Sequence, residues 1–283
     1  MAAGPDRSAP AAASTVPLQH WVFGSSPEVG YGIKAKSPDL NLSMYDRRLD
    51  GIYAPLTGAT LHGETGPLDV LMTHSANSAT ELLFSLITPG PDDSFGRKTY
   101  INHTAVLPLE PLQKGRLWFA DVESAIRRFD ASHAEDLGPV DPLTVAVHDE
   151  LEAQDRVGAG IGRYLSRASA ETLLTRMASD ADARTLVLCR DSSPAERRAT
   201  LLKIIEALNL ACKIPIVSGL SDIPTGSAQA RFQLVISARA FRADSTWALL
   251  DNALETPSLP RLEDPQGRYA ALDRCYQAKV EPS

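Results

Sequence analysis

Thr185–Cys189 reads Thr-Leu-Val-Leu-Cys, a short β-prone apolar run. The chain then turns through polar residues into Ser193-Pro194-Ala195-Glu196. That tetrad carries three helix-start signals together: a Ser N-cap, Pro at the first helical position, and Glu three residues after the cap. Leu201, Leu202, Ile205 and Leu208 follow at helical spacing and form an apolar stripe. Lys213–Ser218 is the next strand-like run. A strand, a capped helix and a second strand in this order predict a βαβ unit over 185–218, which requires a parallel strand pair with the helix on its face.

The first half of the chain has a different grammar. Leu18–Phe23 and Val29–Lys36 are β-like runs around Gly24-Ser25-Ser26-Pro27, the pattern of a hairpin. In the second run Tyr31, Ile33 and Ala35 alternate with Gly32, Lys34 and Lys36, so one face is expected to be apolar and the other basic. Leu42, Tyr45 and Leu49 fit one face of a short helix, and 51–67 reads as loop. Leu68–Thr73, Glu81–Thr88 and Thr99–Leu107 read as strands. Glu81–Thr88 is apolar on both faces and is expected at the centre of a sheet. Val122, Ala125, Ile126 and Phe129 mark an amphipathic helix over Asp121–Phe129, with Asp121 as its cap.

Further helices are expected from a Ser169 cap through 170–181, from a Ser245 cap through Leu254, and over Gly267–Lys279. Arg231–Ala238 reads as a strand and 219–230 as a loop. The fold class is therefore α+β: a mixed, largely antiparallel sheet with flanking helices and the βαβ unit at 185–218. The domain organisation reads as a disordered arm over 1–17, a first α+β region over 18–130, a connecting region over 131–168, and a second α/β region over 169–283 that is either separate or one domain with 18–130.

Charge narrows the partners. Residues 1–150 hold 11 Lys+Arg against 19 Asp+Glu, a balance of -8, whereas 151–283 hold 17 against 16, a balance of +1. An acidic half is a poor match for nucleic acid or an anionic membrane, both of which need a basic face. No run of about 18 apolar residues occurs, so no membrane-spanning helix is expected. The Ala/Pro/Ser-rich start, with one Arg and no apolar centre, does not read as a secretory signal. Cys189, Cys212 and Cys275 are odd in number and widely spaced, which argues against a disulfide framework or a structural zinc site and favours the reducing cytoplasm.

Few motifs carry chemistry. Gly158-Ala159-Gly160-Ile161-Gly162 lacks the preceding strand and the spacing of a dinucleotide loop, so it reads as a flexible linker. Arg190, Ser192 and Ser193 lie between a strand and a helix N-terminus, where ligands and anions settle in open α/β folds. Capping already explains the serines. Cys189 and His103 would form a thiol–imidazole pair if the fold brought them together; a buried strand Cys and a structural His are the plainer readings. His62, His74, His133 and His148 have no metal-ligand spacing, so no metal is expected. Arg97, on a loop after Gly96, has the setting of an exposed arginine finger.

Three stretches together resemble the N-terminal region of the prokaryotic GTPase-associated protein family: Val29-Gly30-Tyr31-Gly32-Ile33-Lys34-Ala35-Lys36-Ser37-Pro38; Gly96-Arg97-Lys98 leading to Ile101-Asn102-His103-Thr104-Ala105-Val106-Leu107; and the helix Ala195–Leu208 followed by Ile214–Ser218 and Phe232–Ile236. Order and spacing agree over about residues 18–250. The resemblance implies a non-catalytic cytoplasmic adaptor or regulator whose partner is a protein, a small GTPase or other NTPase, supplied in trans because the family's downstream domains do not follow. No cofactor and no catalytic residues come with it. An adaptor predicts an exposed aromatic patch, with Trp21, Tyr31 and Tyr53 as its candidates. The competing readings are a hydrolase or transferase built on Cys189 and His103, and a small-ligand module at 190–193.

Overall fold

The computed structural model describes residues 14–26, 30–45, 70–75, 80–90, 92, 95–96, 99–129, 138–149, 156–180, 182–214, 218–221, 232–238, 247–251, 263–264 and 266–278. It is an α+β fold built on one ten-stranded sheet. The strands are β1 (Thr15–Leu18), β2 (His20–Ser26), β3 (Gly30–Lys36), β4 (Val70–Ser75), β5 (Glu81–Pro89), β6 (Tyr100–Pro108), β7 (Gly138–Pro139), β8 (Leu143–Ala146), β9 (Arg184–Leu188), β10 (Ser218–Ser221), β11 (Leu234–Ser237) and β12 (Trp247–Asp251). The helices are α1 (Leu109–Gln113), α2 (Phe119–Arg128), α3 (Arg167–Ser179), α4 (Pro194–Ile204) and α5 (Arg268–Gln277).

The sheet order is β12-β9-β11-β10-β4-β5-β6-β2-β3-β7. From β10 to β3 neighbouring strands are antiparallel, and from β12 to β10 they are parallel. β5 lies in the interior of the order and is buried on both faces, as its unbroken apolar run requires. Leu82, Phe84 and Leu86 belong, on one face, to a core cluster that also draws residues from all five helices and holds most of the core. Leu83 and Ile87 join Trp21, Leu40, Tyr45 and Phe232 on the other.

The capped helix forms as its sequence directs. Ser193 Oγ accepts from the Glu196 N–H at 3.2 Å, Glu196 Oε2 accepts from the Ser193 N–H at 2.7 Å, and Pro194 opens the helix. β9, α4 and β10 form a crossover in which β11 is inserted between the two parallel strands. The second strand is seen at Ser218–Ser221; Lys213 and Ile214 are not strand, 215–217 lie outside the described residues, and 219–221 are strand where the sequence predicts a loop. A Cβ on Gly219 would stand 2.9 Å from a Leu201 methyl and 3.0 Å from the Thr73 hydroxyl, so the missing side chain leaves room for α4 to pack closely on this strand.

Other expectations shift. Trp247–Asp251 is a parallel edge strand on β9, not a helix; pairing with β9 overrides the helix-compatible Ala-Leu-Leu. α3 is capped by Ser166, which accepts from the Ser169 N–H at 3.1 Å, three residues before the expected cap. α2 begins at Phe119, so Asp121 is inside the first turn, where its charge faces the positive end of the helix. β1 begins within the stretch read as a disordered arm, and β7 and β8, from the stretch read as connecting, pair with β3 and β1. In β3 the apolar set is split. Ala35 pairs with Val22 and Ile33 with Phe23, leaving Lys34 as the extra residue of a bulge. Ala35 therefore packs with Val22, Ile33 packs on the opposite face, and Lys34 is buried.

A cleft between helices and a buried histidine pair

The residues singled out from the sequence are dispersed. His103 on β6 and Cys189 after β9 are separated by β11, β10, β4 and β5 in the sheet order. Five strand spacings at about 4.8 Å put them roughly 24 Å apart, well beyond hydrogen-bond reach. Cys189 is buried, and desolvation pushes its thiol up to about 11, far from thiolate at neutral pH. The 190–193 loop is consumed by its own contacts. Arg190 binds Asp251 at 3.1 Å, Ser192 Oγ donates to the Cys189 carbonyl at 2.5 Å, Ser193 serves the capping box, and Arg197 donates to the Ser192 carbonyl. Trp21, expected to be exposed, is fully buried and stacks on Tyr45 at 5.8 Å. Tyr31 is 39% exposed and stacks on Tyr100 at 4.8 Å and Phe23 at 5.9 Å. Tyr53 and Arg97 lie outside the described residues, as do His62 and His133.

His103 has a different partner, His20. The two rings sit diagonally on β6 and β2, with His20 Nδ1 2.8 Å from His103 Nε2 and His20 Nε2 2.8 Å from the Asp141 carbonyl. A carbonyl only accepts, so His20 Nε2 carries the proton and His20 Nδ1 is the acceptor. His103 Nε2–H must then donate to it. Phe129 closes both rings edge-on, at 5.1 and 4.9 Å. Desolvation lowers both pKa values, that of His103 to about 3, so the pair is neutral at pH 7. Pro139, Val140 and Asp141 line an open surface groove beside Phe129.

A second feature has both space and polar chemistry. A cleft of about 530 Å³ lies between α1–α2, the 156–164 turn and one face of α4 with its extension. That volume falls within the ordinary range for small-molecule sites. Ala195, Ala199, Leu202, Lys203, Glu206 and Leu210 line it at helical spacing, a face adjoining the stripe that packs on the sheet. Over Ile205–Ala211 the helix widens into π turns, a form frequent at functional sites. It closes with Lys213 in the left-handed region (φ 57°) and Ile214 N–H donating to the Leu208 carbonyl at 2.8 Å, which satisfies a carbonyl left free at the helix end.

Four charged residues line the cleft, two of each sign. Lys203 Nζ contacts Glu206 Oε2 at 2.5 Å, and the Gly158 N–H also donates to Glu206. Burial raises the Glu206 carboxyl and the two partners counter this. Glu123 accepts from Arg127 at 2.8 Å and lies 3.3 Å from Arg198. Arg156 sits over the Trp118 ring at 5.4 Å, and the other ring contact of Trp118 is His148, stacked at 3.6 Å and donating to Asp121 at 2.7 Å.

Gly158 is the hinge of this wall. Its φ is 75°, and a Cβ would stand 2.7 Å from Cys275 Sγ and 2.9 Å from the Ala207 backbone. The glycine-rich stretch read as a flexible linker is thus a packed turn against the π segment and α5. The cleft was missed because Lys203 and Glu206 look like a solvated helix face. The only signal available was the spacing 195, 199, 202, 203, 206, 210, whose apolar members adjoin the core stripe.

Comparison with known proteins finds no matching family model, no matching curated protein and no matching solved structure. Among the described residues no group of three or more His, Cys, Asp or Glu is placed to hold a metal ion, and no helix is long and apolar enough to cross a membrane.

Proposed function

We propose that this chain is a regulatory binding module that takes up a small organic molecule in the helix-layer cleft and acts without catalysis. The observation that carries this reading is the cleft itself: a half-enclosed space with mainly apolar walls, a π-widened helix on one side and a compact set of paired charges at its edge. The test is titration with the apolar dye Nile red, read as a blue-shifted rise in fluorescence. Wild-type protein binds the dye saturably. Ala199→Trp, which fills the cleft, loses that binding while keeping the wild-type circular dichroism spectrum. Equal dye binding by both proteins, or none by wild type, overturns the reading.

A second reading is the adaptor role that the resemblance to the GTPase-associated family implies, with a small GTPase or other NTPase as partner. The exposed Tyr31 on its aromatic stack favours it, as does Phe95 at 81% exposure. Pull-down with purified NTPases encoded beside this chain, repeated with Tyr31→Ser, checks it. The two readings are compatible, since a ligand in the helix layer is a natural regulator of docking elsewhere.

A further inference from the structure

Resting on the binding reading above, we infer that the cleft selects an amphipathic carboxylate, a molecule with an apolar body and one singly charged anionic head drawn to the lining cations Lys203 and Arg156. The walls take the body. Leu112, Leu117, Phe119, Val157, Leu202 and Leu210 line the space, and covering an apolar chain with them is favourable.

The charges select the head. Lys203 and Arg156 line the cleft together with Glu123 and Glu206. Both carboxylates already have cations on them. Glu206 accepts from Lys203 at 2.5 Å and from the Gly158 N–H, and Glu123 meets Arg127 at 2.8 Å and Arg198 at 3.3 Å. Arg127, Arg156, Arg198 and Lys203 therefore stand against two carboxylates, and the apolar space is set in an excess of positive charge. That excess attracts an anion and repels a cation. Donors accompany the charge. An ammonium has three N–H donors, and Glu206 takes one of those on Lys203. Arg156, whose guanidinium carbon lies 5.4 Å from the Trp118 ring centre, brings a planar fork of the shape that suits a carboxylate. Desolvation does not cancel the gain. The Lys203 side chain keeps 29% of its surface accessible, so a head bound there retains part of its hydration.

A matched series of ligands tests the class. Octanoate, octan-1-ol and octylammonium share a chain and differ in the charge of the head, and acetate has the head without the chain. Each is titrated at neutral pH and low salt by calorimetry and by displacement of Nile red. Octanoate is expected to bind at least about tenfold more tightly than the other three, the factor expected for one hydrogen bond between charged groups. Its affinity falls as salt is added, whereas that of octan-1-ol does not. Two variants locate the head: Arg156→Met, and Lys203→Met/Glu206→Met, which removes the ammonium without stranding its carboxylate. Both keep Nile red binding, and at least one lowers octanoate affinity by about fivefold or more with octan-1-ol unchanged. Octan-1-ol, octylammonium or acetate binding as tightly as octanoate, or octanoate affinity unchanged in both variants, overturns the assignment while leaving the cleft a binding site. Failure of Nile red to bind wild-type protein removes both. The wild-type series decides the class even where a variant does not fold.

Discussion

The His20–His103 pair and the Lys203–Glu206 pair are both partly or wholly withdrawn from water, yet they differ in what surrounds them. The imidazoles lie on the antiparallel half of the sheet with Phe129 across both rings, and the three hydrogen-bonding nitrogens on the Asp141–His20–His103 line are matched donor to acceptor. The ion pair lies in the helix layer, and both of its residues line the cleft. Burial with every partner in place gives structure. A charged pair beside an adjoining void is the setting in which the proposed small-molecule site is placed.

The largest expected effect breaks the wall of the cleft. Gly158→Ala forces a Cβ against the Ala207 backbone and Cys275 at a positive φ. It should destabilise the protein by about 3 kcal/mol or more in urea unfolding, because neither neighbour is a flexible side-chain tip. A loss under about 1 kcal/mol would show that the turn is not packed against the π segment.

The histidine pair comes next. His103→Leu leaves His20 Nδ1 without its donor and should cost about 2 kcal/mol. His20→Phe/His103→Leu, which removes both partners, should cost less than the sum of the single changes. Additivity in that double-mutant cycle would mean the two rings do not depend on each other.

Acid sharpens the same contrast. The folded state holds His103 neutral down to about pH 3, and it holds His20 neutral below the ordinary range as well. Below about 6.5 the unfolded chain therefore binds more protons than the fold, and stability falls as pH falls. For His103 alone the loss is about 2 kcal/mol between pH 6.5 and 5, at about 1.4 kcal/mol per unit. Urea midpoints for wild type and the double His variant check it, and the variant should lose most of this slope. The smallest effect is expected at the surface: Tyr31→Ser should change stability by no more than about 1 kcal/mol, since the ring is only partly covered.

Local chemistry made much of the fold legible. The capping box and Pro194 marked the start of α4, the two-faced apolar run of Glu81–Thr88 marked an interior strand, and the two β-like runs around Gly24-Ser25-Ser26-Pro27 marked the β2–β3 hairpin, although β2 continues through Ser26. These signals act within one turn or one strand, so sequence alone carries them. The β3 bulge was hidden, because the alternation of Tyr31, Ile33 and Ala35 looks regular until pairing with β2 singles out Lys34. The strand at Trp247–Asp251 was hidden for a related reason: its local preference is helical, and β9 decides it.

The candidate site was almost wholly illegible. Cys189 and His103 are side chains of reactive type, but the sheet order separates them and gives His103 a partner 83 positions away in the chain. Lys203 and Glu206 carry no sequence signal of a site, because charged residues beside the apolar stripe of a helix are ordinarily solvated. By itself the sequence determined the α+β class, the capped helix and the central strand, because propensity, capping and burial pattern are short-range. Tertiary structure alone decided which histidines meet and that a face of α4 opens on a cleft. Both depend on strand order and helix packing, which bring together residues that no spacing rule connects.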